Sequence, residues 1–199
     1  MQAKTFFTNE QVARNRINSL AKQNLISYWN TNLMKPRRAI VLTADTKIML
    51  EDEFEIKVKN VKLNRTTISH NILEQITDYH LSLIGSVERT TVSTHQDRLN
   101  HIPDFIFTNT NGNKINIEIE LSKKSAPRYT KLMQDVAKDN PDAIIYILDS
   151  KTKIKSFASI MPKWHKLFFI SIDELIKNIN ELGQIKPLAQ EASLFESPI

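Results

Sequence analysis

Residues 103–125 read PDFIFTNTNGNKINIEIELSKKS, and the register of this stretch decides the fold. Strand side chains alternate, so in Lys114–Leu121 the residues Ile115, Ile117, Ile119 and Leu121 share one face, while Glu118 and Glu120 share the other. Two turns compete for the middle. A two-residue turn at Asn111-Gly112 pairs Asp104 with Ile119 and mixes acid with apolar. A three-residue loop, Thr110-Asn111-Gly112 with Gly112 left-handed, pairs Asp104 with Glu118, Phe105 with Ile117 and Phe107 with Ile115. Only this second register segregates apolar from acidic side chains, so burial of the aromatic face selects it. Asp104, Glu118 and Glu120 are then expected to converge within a few ångströms. Unpaired, they repel one another, so a cation is expected, and carboxylate oxygens suit Mg²⁺ or Mn²⁺. Such an ion activates water and steadies a phosphoryl oxyanion. The competing reading is a solvated acidic edge beside Lys123 and Lys124. It accounts poorly for acids on a central hairpin.

Downstream of the hairpin, Ser125 is placed to cap a helix with Pro127 in its first turn. Tyr129, Leu132, Met133, Val136 and Ala137 form its apolar stripe. Ala143–Leu148 is nearly all apolar, as a strand buried on both faces is. Leu167–Ile170 is a further short strand. Ser171-Ile172-Asp173-Glu174 is a capping box, opening a helix that stops at Gly183. Lys186–Ile199 lacks a period and reads as a flexible tail. Upstream, Ser69–Leu83 is a helix with Ile72, Leu73, Ile76, His80 and Leu83 on its core face and Gly85 as its stop. Val87–Ser93 is rich in strand formers. The order from residue 67 to 185 is therefore α-β-β-β-α-β with a further strand and helix, an α/β domain with a mixed sheet. Residues 51–66 read as a charged connector or edge strand, with Phe54, Ile56 and Val58 alternating.

Residues 1–50 read as a partial winged helix-turn-helix. Thr8 or Asn9 caps a helix reaching Gln23, with Val12, Ala13, Ile17 and Leu20 on one side. Gln11, Arg14, Asn15, Asn18 and Lys22 lie opposite, where long and amide side chains reach base edges and phosphates. Two strands, Leu25–Trp29 and Ala39–Thr43, flank a basic loop carrying Lys35, Arg37 and Arg38, the wing of such a module. The helices that usually precede a recognition helix are missing ahead of Thr8. The module is thus read as degenerate, truncated or completed by a partner. A plain amphipathic helix beside a hairpin is the alternative.

Composition bounds the rest. The chain has 199 residues, enough for one larger domain or two small ones. It has no cysteine, which excludes disulfides, thiolate catalysis and Cys-ligated metal centres. No apolar run approaches the roughly 20 residues of a membrane helix, and the first residues lack a signal-peptide core, so a cytoplasmic protein is expected. Net charge is +5, from 27 Lys+Arg against 22 Asp+Glu, which is compatible with a nucleic-acid partner.

Pro103-Asp104 followed by Glu118-Ile119-Glu120, within α-β-β-β-α-β, resembles the PD-(D/E)xK nuclease superfamily. The resemblance implies a restriction-endonuclease-like fold with Asp104, Glu118 and Glu120 as metal ligands. Glu120 stands where the superfamily usually has Lys, and Lys123 or Lys124 is the candidate to supply that charge. Glu74, on the preceding helix, is a candidate further acid, with a plain surface Glu as the alternative. Arg128 and Lys131 lie off the apolar stripe of their helix, toward phosphates. Of His70, His80, His95 and His101, only His101 adjoins the motif and is taken as an assisting residue. His80 falls on a core face. Tyr129 has the chemistry of a relaxase nucleophile, but its place on the stripe favours packing. More narrowly, Ile117–Ser125 with Arg128-Tyr129 is similar to plasmid replication–relaxation and MobC-type mobilisation relaxase proteins. That likeness implies a DNA nickase acting at a plasmid or mobile-element origin, alone or as a homodimer, with mobilisation or replication proteins as partners. Two alternatives stand beside it: a restriction- or transposition-type double-strand endonuclease, and a non-catalytic DNA-binding accessory protein.

Overall fold

A computed structural model describes residues 9–33, 36–57, 64–90 and 99–189. Lys35, Val58, His95, the end of the expected strand at 91–93 and residues 190–199 lie outside the described residues, as does Thr8. The chain divides into two compact units, residues 1–69 and 70–199.

In the first unit, α1 spans Glu10–Lys22, with Asn9 as its N-cap accepting from the Gln11 N–H. Ala13 is fully buried, whereas Val12, expected on the same side, is 49% exposed. Asn24 turns left-handed (φ 56°), and the chain enters β1, Ile26–Asn30, which pairs antiparallel with β2, Arg38–Leu42. Sequence reading placed a connector or edge strand from residue 51. The structure instead has a helix, α2, over Ala44–Phe54. Its cap explains it: the Thr43 side chain accepts from the Thr46 N–H, and Glu55 closes the far end in the left-handed region. The alternation of Phe54 and Ile56 reflected no strand; both are more than half exposed. Buried Thr46 hydrogen-bonds the Leu25 carbonyl, tying α2 to the residue that precedes β1.

The helix α3, Arg65–Leu81, runs from the first unit into the second. Within the second unit, Leu73, Thr77, His80 and Leu81 are buried, while Leu83, expected in the core, is 56% exposed beyond the helix end. Gly85 is not a helix stop. It opens β3, Gly85–Arg89, and a Cβ there would lie 2.5 Å from both the Phe107 ring and the Thr108 carbonyl oxygen. Glycine is required for close strand approach, not for a left-handed turn.

The sheet order is β3-β4-β5-β6-β7-β8. β4 (Phe105–Asn109) is antiparallel to β3 and to β5 (Lys114–Glu120). The hairpin adopts the segregating register, with Phe105 opposite Ile117 and Phe107 opposite Ile115. Gly112 is left-handed (φ 83°) in a Thr110-Asn111-Gly112 loop closed by Asn109 N–H to the Asn113 carbonyl at 3.1 Å. From β5 the chain crosses over through α4, Ala126–Asp139, to β6, Ala143–Leu148, which is parallel to β5. Pro127 sits in the first turn of α4, but Ser125 at the N-cap makes no side-chain cap bond. Tyr129, Met133 and Val136 are buried and Ala137 is exposed, so the apolar stripe is narrower than the spacing implied. A short 3₁₀ turn (Lys151–Lys153) and α5 (Ile154–Ala158), absent from the sequence reading, lead to β7, Leu167–Ser171, parallel to β6. Ser171 caps α6, Ile172–Leu182, accepting from the Glu174 N–H while its hydroxyl donates to the Glu174 carboxylate at 2.9 Å. Gly183 ends α6 at φ 63°. The expected tail is structured at its start: β8, Leu188–Ala189, pairs with β7. The core joins α4 to Ile144, Tyr146 and Leu148 of β6, Phe157 and Ala158 of α5, and Leu167 and Phe169 of β7. Among the described residues no helix is long and apolar enough to cross a membrane. The fold is thus mixed α/β, a mixed sheet with flanking helices.

Candidate metal centre

Asp104 stands one residue before β4, and its N–H donates to the Ile117 carbonyl of β5 at 3.1 Å. Its Oδ2 accepts from the Ile119 N–H at 2.7 Å, which fixes the carboxylate against β5. Burial, then the Glu118 charge, pushes the Asp104 carboxyl up to about 6. The Ile119 N–H and His70 oppose that rise, and Glu74 adds to it.

Two residues of α3 complete the surroundings. His70 and Glu74 are one turn apart on one helix face, with His70 Nδ1 3.1 Å from Glu74 Oε1. His70 Nε2 lies 3.7 Å from Asp104 Oδ2. The Glu74 hydrogen bond raises the imidazole pKa; burial opposes this, and the Asp104 charge supports it. Donor atoms of His70, Glu74 and Asp104 all lie within 4.8 Å of one another, and among the described residues this is the one such group of three.

The expected convergence of Asp104, Glu118 and Glu120 is therefore not what forms. Residues two apart on a strand stand about 6.6 Å apart along it, so the two glutamates find separate partners. Glu118, 9% exposed, meets His101, whose Nε2 is 2.6 Å from Glu118 Oε1. The loop before β4 holds that histidine in place. Asp139, at the end of α4, accepts from the His101 N–H at 3.0 Å and from the Asn100 N–H at 2.9 Å. Burial alone would lower the His101 pKa; the Glu118 hydrogen bond and charge, aided by Asp104 and Asp139, raise it. Glu120 is buried and ion-paired to Lys124, and its Oε2 is 3.4 Å from the Tyr129 hydroxyl. Burial foremost, with the Glu120 charge, pushes the Tyr129 phenol up to about 12, which opposes a nucleophilic tyrosinate. Lys123, Arg128 and Lys131 are exposed.

Tyr146 adjoins this acid row. It is the parallel partner of Glu118, is 1% exposed, and its hydroxyl has no hydrogen-bond partner among the described residues. Burial, then the Glu118 charge, holds its pKa well above the ordinary phenol value.

In the first unit, Gln11, Arg14, Asn15, Asn18, Lys22, Arg37 and Arg38 are all exposed. Arg14 is ion-paired to Glu10 at 2.7 Å, and Gln11 Nε2 donates to Asn15 Oδ1 at 3.0 Å. Tyr28 reaches Asn18 at 3.5 Å.

The donor chemistry fits a divalent cation. Among the described residues the ion pairs of Glu74, Asp104 and Glu118 run to histidines rather than to Lys or Arg. Sequence reasoning treated His70 and Glu74 separately. Their four-residue spacing, which puts an imidazole and a carboxylate on one helix face, was the signal available. No family model, curated protein or solved structure matches the chain.

Proposed function

We propose that the chain is a metal-dependent DNA endonuclease of the nicking kind, acting on plasmid or mobile-element DNA, with a restriction-endonuclease-like second unit and a winged first unit. The observation that carries this reading is the Asp104 carboxylate, fixed against β5 at the mouth of the hairpin, with Glu74 approaching from the preceding helix. It takes up the resemblance of Pro103-Asp104…Glu118-x-Glu120 to the PD-(D/E)xK nucleases. Asp104, with Glu74 beside it and Glu118 on the neighbouring strand, would hold a divalent cation, which would supply an acidified water and neutralise charge on a phosphoryl group. His101 at Glu118 is placed to hold or pass a proton at Nε2. Lys124 reaches back to Glu120 and returns positive charge to the position where the superfamily carries Lys. Exposed Arg128 and Lys131 offer phosphate contacts on the second unit, and Arg37 and Arg38 offer them on the first.

The test is supercoiled plasmid incubated with Mg²⁺ or Mn²⁺. Wild type is expected to give nicked circles. Glu118→Gln is expected to give none, while melting normally, since the amide oxygen keeps a partner for His101. Equal nicking by both proteins removes the acid row from the chemistry, linear product favours the double-strand alternative, and unchanged plasmid favours the accessory protein. Arg37→Ala with Arg38→Ala is expected to flatten the salt dependence of DNA binding by about one unit of slope per lost phosphate contact; an unchanged slope removes this loop from the interface.

A further inference from the structure

We infer that His70 and Asp104, with Glu74 orienting the imidazole, form a mixed imidazole–carboxylate site for a first-row transition dication, with Mn²⁺ favoured over Mg²⁺. The inference rests on the nuclease reading only for what the ion does, not for where it binds.

The donor types come first. An all-oxygen set suits Mg²⁺, which keeps its waters and demands near-octahedral oxygen ligation. An imidazole nitrogen in the set favours softer first-row ions. His70 supplies that nitrogen from the same helix face as Glu74, and Asp104 supplies an oxygen from the hairpin.

The spacing agrees. His70 Nε2 and Asp104 Oδ2 are 3.7 Å apart, too far for a hydrogen bond. Two ligand atoms about 2.0–2.2 Å from one cation stand roughly 3–3.8 Å apart at ordinary ligation angles. Nδ1 of the same ring is engaged by Glu74 at 3.1 Å. A carboxylate on the far ring nitrogen is the usual way of orienting a metal-binding histidine.

The charges around the site agree. The acids Glu74, Asp104 and Glu118 have no Lys or Arg partner among the described residues, only histidines.

The experiment uses the full chain stripped of metal with a chelator. It is titrated separately with MnCl₂ and MgCl₂ by calorimetry, and the Mn²⁺ complex is examined by electron spin-echo spectroscopy. The expected result is Mn²⁺ binding at least about tenfold tighter than Mg²⁺, with modulation from a bound imidazole nitrogen. His70→Gln is expected to remove that modulation and weaken Mn²⁺ by about tenfold or more, with little change for Mg²⁺. Asp104→Asn should weaken both ions. If the His70 variant melts early, the wild-type nitrogen modulation still decides the ligand. Equal affinity for the two ions, or bound Mn²⁺ without imidazole modulation, overturns the inference. Histidine-dependent Mn²⁺ binding by a chain that leaves plasmid intact upholds this site while removing the nuclease reading. Plasmid nicking with no imidazole signal does the reverse.

Discussion

Tyr146→Phe is expected to stabilise the second unit. Tyr146 is 1% exposed, and its hydroxyl is buried without a hydrogen-bond partner among the described residues. On folding, that group gives up water and gains nothing in return. A buried polar group left unsatisfied costs about 1–3 kcal/mol. The ring itself drops out of the comparison. It stacks on Phe169 at 6.0 Å between centroids and meets Tyr129 edge-on at 6.5 Å, and phenylalanine keeps both contacts. Loss of one oxygen leaves a void too small to offset the gain. The variant should therefore gain about 1–3 kcal/mol, which at roughly 3–4 °C per kcal/mol for a unit of this size raises its melting transition by about 3–12 °C. The assay is chemical and thermal unfolding in chelator-containing buffer, followed by near-ultraviolet circular dichroism, which reports the buried aromatic cluster. The m-value should not change, since the surface exposed on unfolding does not. A variant less stable than wild type would refute the reasoning, because the hydroxyl would then have a solution partner such as a buried water.

Gly85→Ala should cost about 1–3 kcal/mol through overpacking, because its Cβ would meet the Thr108 carbonyl and the Phe107 ring at 2.5 Å. Gly112→Ala meets open space but keeps φ at +83°, so about 1–2 kcal/mol of backbone strain is expected there; denaturant midpoints check both, and a neutral Gly85→Ala would mean that β3 does not press on β4. His80 carries a pH prediction. Burial lowers its folded-state pKa below the ordinary 6.5, so the unfolded chain binds its proton more readily. Its contribution is fully present above pH 6.5 and is lost as pH falls through the lower folded value. His80→Gln should flatten the fall in stability just below that pH, and an unchanged slope would show that His80 is not the group responsible.

The sequence by itself determined whatever depended on local pattern plus one choice of face. The hairpin is the clearest case: alternation fixed which side chains share a face, and burial of Phe105 and Phe107 against Ile117 and Ile115 left a single register. The cap at Ser171, the stop at Gly183 and the buried strand Ala143–Leu148 were legible for the same reason. What escaped was structure held by contacts distant in sequence. The helix α2 owes its start to Thr43 and its anchorage to Thr46 reaching Leu25, and Gly85 is set by Phe107 across the sheet. β8 exists by pairing with β7. The site divides along the same line. Sequence could put Glu118 and Glu120 on one face, but strand spacing keeps them apart. Only the packed structure gives Glu118 to His101 and Glu120 to Lys124, and brings α3 close enough for His70 and Glu74 to share Asp104. Which groups neutralise a buried acid depends on distances between elements, and those are set by the core rather than by the order of residues along the chain.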